Sequence, residues 1–264
     1  MKLLCLHGAL SNIENFKVQL APFLSAVSGA KDLEFEWING ANVVTPPEGY
    51  ESYFGTTQLY RHIDFDGFAA LDDLLERVRD MPEGNSAEEV IRKLVDGSIW
   101  SSDSINKLMD RLFKMIDEDP EIDGILGYSE GATAAATLIL EEQRRFEREG
   151  RPRRLKVSSQ VKRGLHSQLG VFFSGWPPVS IEGDVVKTIL ADEYDTMLDI
   201  PTLHIVGSKD PYIQGSMALF NVCDPDTAIL FDHGKGHTLP RDAQTVEELS
   251  GAVDSALRLA QVPG

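Results

Sequence analysis

Residues Gly127-Tyr128-Ser129-Glu130-Gly131 stand between an apolar run, Ile122 to Leu126, and an alanine-rich stretch carrying Ala132, Ala134, Ala135, Ala136 and Leu138. A strand, a sharp turn and a helix in immediate succession leave few architectures open. An apolar strand of this kind is buried on both faces, and the helix after it must fold back over the sheet. The two glycines suit a turn too tight for side chains at either end, with the serine held in a strained backbone and its hydroxyl lifted above the strand end. The free N–H groups at the start of the helix then point toward that hydroxyl.

The rest of the chain repeats this alternation. Further strands are expected at Leu3 to Leu6, Glu34 to Ile38, Gly170 to Phe173, Thr202 to Val206 and Ala228 to Phe231. Ser11 or Asn12 opens a helix through Phe16, Leu20 and Leu24, and Val246, Leu249, Val253, Leu257 and Ala260 mark a last one at helical spacing. The pattern predicts an α/β fold, a three-layer α-β-α sandwich around a mainly parallel sheet of about six strands. Residues 1–264 read as one domain with two additions. A helical insertion at about 50–103, a possible lid, carries Leu71, Leu74, Leu75 and Val78 and a short helix around Glu88 to Val95. A basic loop at about 150–168 continues a basic cluster, Arg144, Arg145, Arg148, Arg151, Arg153, Arg154, Lys156, Lys162 and Arg163, that reads first as a solvated surface loop and, as the alternative, as a docking patch for an acidic carrier domain.

A formal net charge of −17 argues against nucleic acid or an anionic membrane as partner, since phosphate contacts need clustered Lys and Arg. Cys5 and Cys223 are too few for a disulfide framework. The apolar start stops at His7-Gly8, too short for a signal peptide, and no run reaches a membrane span, so a cytoplasmic location is expected. No phosphate-cradling glycine loop is present, and His62, Asp64 and Asp66 lack the spacing of a metal site. No cofactor and no metal are expected. Asp195 and Asp199 read as part of an acidic, solvated helical stretch.

A serine hydroxyl becomes nucleophilic only when a base takes its proton and a carboxylate holds that base in the right tautomer. Behind a Gly-x-Ser-x-Gly turn the chain order is serine, acid, histidine. Asp210 follows the fifth strand in Gly207-Ser208-Lys209-Asp210, and His237 follows the sixth in Gly236-His237-Thr238-Leu239-Pro240. The proposed triad is therefore Ser129, Asp210 and His237. His233 is nearer its strand and reads as structural; Asp232 and Asp123 sit at the wrong corners. Backbone N–H groups of Glu130 and Ala9 are the expected oxyanion donors. Leu10, Tyr53, Phe54, Tyr128, Trp176 and Pro177 are expected to line an acyl pocket.

Leu4-Cys5-Leu6-His7-Gly8, Asp123 through Ala132, Phe172-Phe173-Ser174-Gly175, Gly207 to Asp210 and Gly236 to Pro240 resemble the blocks of the FSH family of serine hydrolases, which has the α/β-hydrolase fold. The resemblance runs through most of the chain. It implies the same triad and hydrolysis of acyl esters or thioesters. The family includes esterases and stand-alone thioesterases of fungal polyketide pathways, whose partner would be an acyl carrier protein. The alternatives are a general short-chain carboxylesterase, an acyl transferase or synthase with the same triad and, more remotely, a non-catalytic ligand-binding module on the same fold. Where the family usually has Gln, this chain has Glu130, which sets an extra carboxylate beside the nucleophile.

Overall fold

The computed structural model describes residues 1–27, 33–45, 58–65, 78, 80–95, 99–151, 153, 155 and 168–261. Six strands form one parallel sheet: β1 (Lys2–Leu6), β2 (Glu34–Ile38), β5 (Ile122–Tyr128), β6 (Leu169–Phe173), β9 (Thr202–Val206) and β10 (Ala228–Asp232). Their order across the sheet is β10-β9-β6-β5-β1-β2. All six lie where the apolar runs place them, with β5 two residues longer than expected. The chain leaves β1 toward one edge and returns to β5 on the other side, so the order reverses between β1 and β5. Loops at the carboxyl ends of these two strands diverge there and leave a crevice, the usual ligand position in open α/β sheets.

Both faces of the sheet are apolar, and successive residues alternate between two cores. Leu3 and Cys5 of β1, with Val171 and Phe173 of β6, pack under α1 (Ile13–Val27) and the last helix, α6 (Ala243–Ala260). Leu4 and Leu6, with Phe172, pack on the opposite face under α2 (Ala87–Leu94), α3 (Ser102–Glu118), α4 (Glu130–Glu149) and α5 (Ile213–Asn221). Helix starts are set by side chains accepting orphan N–H groups: Asn12 from Asn15, Ser86 from Glu89, Ser101 from Ser104 and Asp242 from Thr245. Among the described residues no helix is long and apolar enough to cross a membrane.

Two antiparallel hairpins lie outside the main sheet, and the strand pattern did not foresee them. Strands β3 (Asn42–Val44) and β4 (Leu59–Arg61) pair with each other, as do β7 (Val179–Glu182) and β8 (Val185–Thr188). The insertion at 50–103 is thus not purely helical. Its described parts hold β4, a bridge between Phe65 and Trp100, and helix α2. Leu71, Leu74 and Leu75 lie outside the described residues.

The described arginines of the cluster are occupied within the chain, and Arg154, Lys156, Lys162 and Arg163 lie outside the described residues. Arg144 bonds Ser180 and faces Glu141, as Arg148 does, and Arg151 faces Glu149. Arg145 lies 3.6 Å over the Phe113 ring. Arg153 is buried and bonds Asp199, while Leu155 is fully buried with its N–H on Glu142 at 2.9 Å. This corrects two expectations. Arg153 is an anchor of the segment instead of a solvated residue, and Asp199 is its partner in a stretch of turns, not part of a helical face. A buried guanidinium needs a carboxylate, and Asp199 supplies it.

Candidate active site

The turn after β5 has the strain its sequence implies. Ser129 takes φ 54° and ψ −119°, and its N–H donates to the Phe173 carbonyl at 2.8 Å. A Cβ on Gly127 would lie 2.3 Å from the Gly131 carbonyl oxygen, and one on Gly131 would lie 2.2 Å from that of Leu6. Neither neighbour is a side chain that could swing away, so a side chain at either position would force the backbone apart. Among the described residues three non-glycine residues have positive φ: Leu10, Ser129 and Ser174. They sit in the loops after β1, β5 and β6, at one end of the sheet. Such conformations cost about 1–3 kcal/mol each and concentrate where geometry is functional.

The loops after β9 and β10 bring the other two groups over the same end. His237 Nε2 is 3.1 Å from Ser129 Oγ, and its Nδ1 is 2.7 Å from Asp210 Oδ2. A carboxylate can only accept, so Nδ1 carries the proton and Nε2 is left to accept from the serine hydroxyl. Asp210 is 3% exposed. Burial alone would raise its pKa, but the hydrogen bonds from His237, the Tyr212 N–H and the Ser174 hydroxyl outweigh burial and hold the carboxyl below its ordinary range. The Tyr212 N–H donates to Oδ1 at 2.8 Å.

The two loops are tied to each other by Asp232, at the end of β10. Its Oδ1 accepts from Ser208 N–H at 2.8 Å and from Gly234 N–H at 2.7 Å. Lys209 N–H also donates to the Lys235 carbonyl at 3.0 Å. Asp232 therefore does not touch His237; it sets the spacing between the acid loop and the histidine loop. His233 is buried, and burial lowers its pKa. It makes no hydrogen bond through its ring among the described residues.

The turn after β1 faces the elbow. The His7 Nδ1–H donates to the Gly8 carbonyl at 2.6 Å, and Nε2 accepts the Gly40 N–H at 3.0 Å, which fixes His7 as a neutral brace. Burial lowers its pKa against the raising effect of the Gly8 bond. Among the described residues no protein acceptor takes the N–H of Glu130 or Ala9. The Glu130 side chain turns into the protein. Its Oε2 accepts from Arg61 Nε at 2.8 Å and Nη2 at 2.6 Å, and its Oε1 from the His62 N–H at 2.6 Å.

The residues expected to line a pocket divide. Tyr53 and Phe54 lie outside the described residues. Tyr128 braces the histidine: its ring stacks on His237 at 5.4 Å between centroids, and its hydroxyl donates to the His237 carbonyl at 3.3 Å. Leu10 lies partly buried in the turn after β1. Trp176 is partly buried and its N–H donates to Thr133 Oγ1 at 3.1 Å, with Pro177 buried beside it. Sequence reasoning gave no role to Arg61, Ser174 or Tyr212. Ser174 belongs to the block Phe172-Phe173-Ser174-Gly175, but a hydroxyl aimed at an acid thirty-odd residues later leaves no local pattern.

The chain is similar to known proteins. Esterase FPY3 of Fusarium mangiferae is 26% identical over 99% of this chain and 99% of its own. Hydrolase phiM of Talaromyces stipitatus is 26% identical over 94% of this chain and 84% of its own. Among solved structures, a variant of SOBER1 from Arabidopsis thaliana superposes on 97% of this chain and 99% of its own, with a TM-score of 0.50 at 14% identity, a likeness of fold. The family model described as serine hydrolase (FSH1) matches residues 1–249, and with a strained serine standing at the end of β5 of an α/β-hydrolase sheet, this chain belongs to that family.

Proposed function

We propose that the chain hydrolyses acyl esters and thioesters through an acyl-enzyme on Ser129. The observation that carries this reading is the unbroken row Ser129 Oγ, His237 Nε2, His237 Nδ1 and Asp210 Oδ2, with spacings of 3.1 and 2.7 Å. His237 takes the hydroxyl proton as Oγ attacks the carbonyl, and the Glu130 and Ala9 N–H groups receive the oxyanion. The tetrahedral adduct collapses as His237 protonates the leaving alcohol or thiol. Water then repeats the sequence: His237 takes its proton, the hydroxide adds to the acyl carbon, and the proton returns to Ser129 as the acid departs. The names of the relatives, esterase and hydrolase, support the ester half of this reading.

The narrower proposal is release of a fatty or polyketide-like acyl chain from a carrier protein. It follows from the resemblance of the motifs. The described arginines add little to it, since Arg144, Arg148, Arg151 and Arg153 already face carboxylates or hydroxyls of their own chain. A fluorophosphonate probe should label Ser129, and Ser129→Ala should abolish turnover of p-nitrophenyl butyrate without changing the melting temperature by more than a few degrees. Matched butyryl-pantetheine turnover then separates the two halves. A kcat/KM at least tenfold above that of the ester supports carrier release, and a value tenfold below it assigns the chain to ester substrates. Activity retained in Ser129→Ala removes the whole mechanism.

A further inference from the structure

The carboxylate of Glu130 is one residue from the nucleophile, and its side chain is only 5% exposed. An unbalanced negative charge there would oppose the negative charge that develops on the substrate oxygen, because a buried site screens charge poorly. Arg61 is the group that balances it. Its side chain is 10% exposed, it bonds Oε2 through both Nε and Nη2, and its guanidinium lies 3.9 Å over the Phe65 ring. Phe65 is itself stacked on Trp100 at 5.1 Å. The His62 N–H at 2.6 Å and the Ile63 N–H at 3.4 Å complete the shell of Glu130.

The same short segment also holds the opposite wall. The Tyr60 N–H donates to the Ser11 carbonyl at 2.8 Å, directly after the turn that carries Ala9. The His62 ring packs on His7 with centroids 4.4 Å apart. Asn42 Nδ2 fastens the segment from behind, through the carbonyls of Arg61 and His62 and the Ser104 hydroxyl. Residues 60–63 therefore grip both the elbow and the turn after β1.

We propose that Arg61 is a positioning residue of the oxyanion hole, which holds Glu130 in place through its forked hydrogen bond and cancels the Glu130 charge beside the reacting centre. The proposal rests on the acyl-enzyme reading of Ser129, and it assigns Arg61 no contact with substrate. Two consequences separate it from a role in folding alone. Loss of Arg61 lowers kcat and leaves KM nearly unchanged, since the oxyanion exists only in the transition state. Removing the Glu130 charge as well restores much of the rate.

The test uses p-nitrophenyl butyrate turnover and inhibition by phenylboronic acid, whose tetrahedral anion mimics the intermediate. Arg61→Gln should lower kcat about 10²-fold, the scale of losing one oxyanion donor, with KM within twofold and the boronate inhibition constant raised in parallel. The double variant Arg61→Gln with Glu130→Gln keeps a hydrogen-bonding pair without charge and should recover to within tenfold of the wild type. If Arg61→Gln does not fold, Arg61→Lys, which keeps the charge and loses the fork, should cost about tenfold in kcat at constant KM. Unchanged kcat in the folded single variants, or a double variant no better than Arg61→Gln, overturns the proposal. Wild-type activity that is lost in Ser129→Ala, measured alongside, shows that such a result strikes Arg61 and not the acyl-enzyme mechanism.

Discussion

Replacing Asp210 by asparagine removes one charge and no atoms of the backbone, and the hydrogen bonds around it dictate the outcome. Asp210 accepts on both oxygens: Oδ1 from Tyr212 N–H at 2.8 Å and Oδ2 from His237 Nδ1 at 2.7 Å. An asparagine has one acceptor and one NH₂ group to fill these places. If the NH₂ faces Tyr212, two donors meet in a site that is 3% exposed, which leaves an N–H unsatisfied at a cost of about 1–3 kcal/mol. If the NH₂ faces His237, the imidazole must present a bare Nδ1 and move its proton to Nε2. A protonated Nε2 cannot accept from Ser129 Oγ, so the base is lost with the geometry intact. The second arrangement is favoured because neutral imidazole exchanges tautomers at little cost. Loss of the correct tautomer in a Ser-His-Asp site costs about 10⁴ in kcat, some 5.5 kcal/mol at 1.36 kcal/mol per factor of ten. Steady-state kinetics on p-nitrophenyl butyrate at pH 8, with a melting curve on the same sample, measures it. A folded Asp210→Asn with kcat within tenfold of the wild type refutes the argument, and with it the tautomer assigned to His237.

Two further outcomes come from the packing. Gly131→Ala would set a Cβ 2.2 Å from the Leu6 carbonyl oxygen, so the elbow must withdraw from β1; a loss of about 1–3 kcal/mol in urea unfolding, with turnover falling more steeply than stability, is expected. Burial holds His204 down to about 3, between the rings of Phe172 and Phe220, whereas in the unfolded chain it takes up a proton near pH 6.5. The unfolded state thus binds the extra proton first, and stability falls as pH drops from 6.5 toward 3, by roughly 1.4 kcal/mol per unit from this residue. His204→Gln should flatten the acid limb between pH 6 and 4, and parallel limbs for variant and wild type would show that His204 does not drive it.

The four inner strands, β1, β5, β6 and β9, were legible as short, largely apolar runs buried on both faces, and the edge strands β2 and β10, only partly buried, showed as short runs rich in aromatic and aliphatic residues. The β3–β4 hairpin was not. Three-residue strands carry too few positions to show a period, and Asn42 and Arg61 look polar because the Asn42 side chain ties the segment together and the Arg61 side chain meets Glu130. Asp199 misled for a related reason. An acidic stretch reads as solvated until a buried arginine, Arg153, appears from a segment 46 residues earlier.

The site divides along the same line. Ser129, Asp210 and His237 could be placed because each lies in the loop that ends a recognisable strand, so knowing the strands was enough to locate the loops. Arg61 lies 69 residues from Glu130 in sequence, and nothing in its own neighbourhood, Leu59 through Phe65, marks it as anything but a surface cation. The signal was on the other partner. A glutamate directly after the nucleophile enters a helix start that must pack against β1, where Gly131 leaves no room for a side chain. A carboxylate buried there requires a cation close by, because an unpaired one would cost several kcal/mol or abandon its charge. Glu130 thus demanded an arginine or lysine that the chain could bring over the sheet, and the connection between β2 and β5 is the segment long enough to supply it.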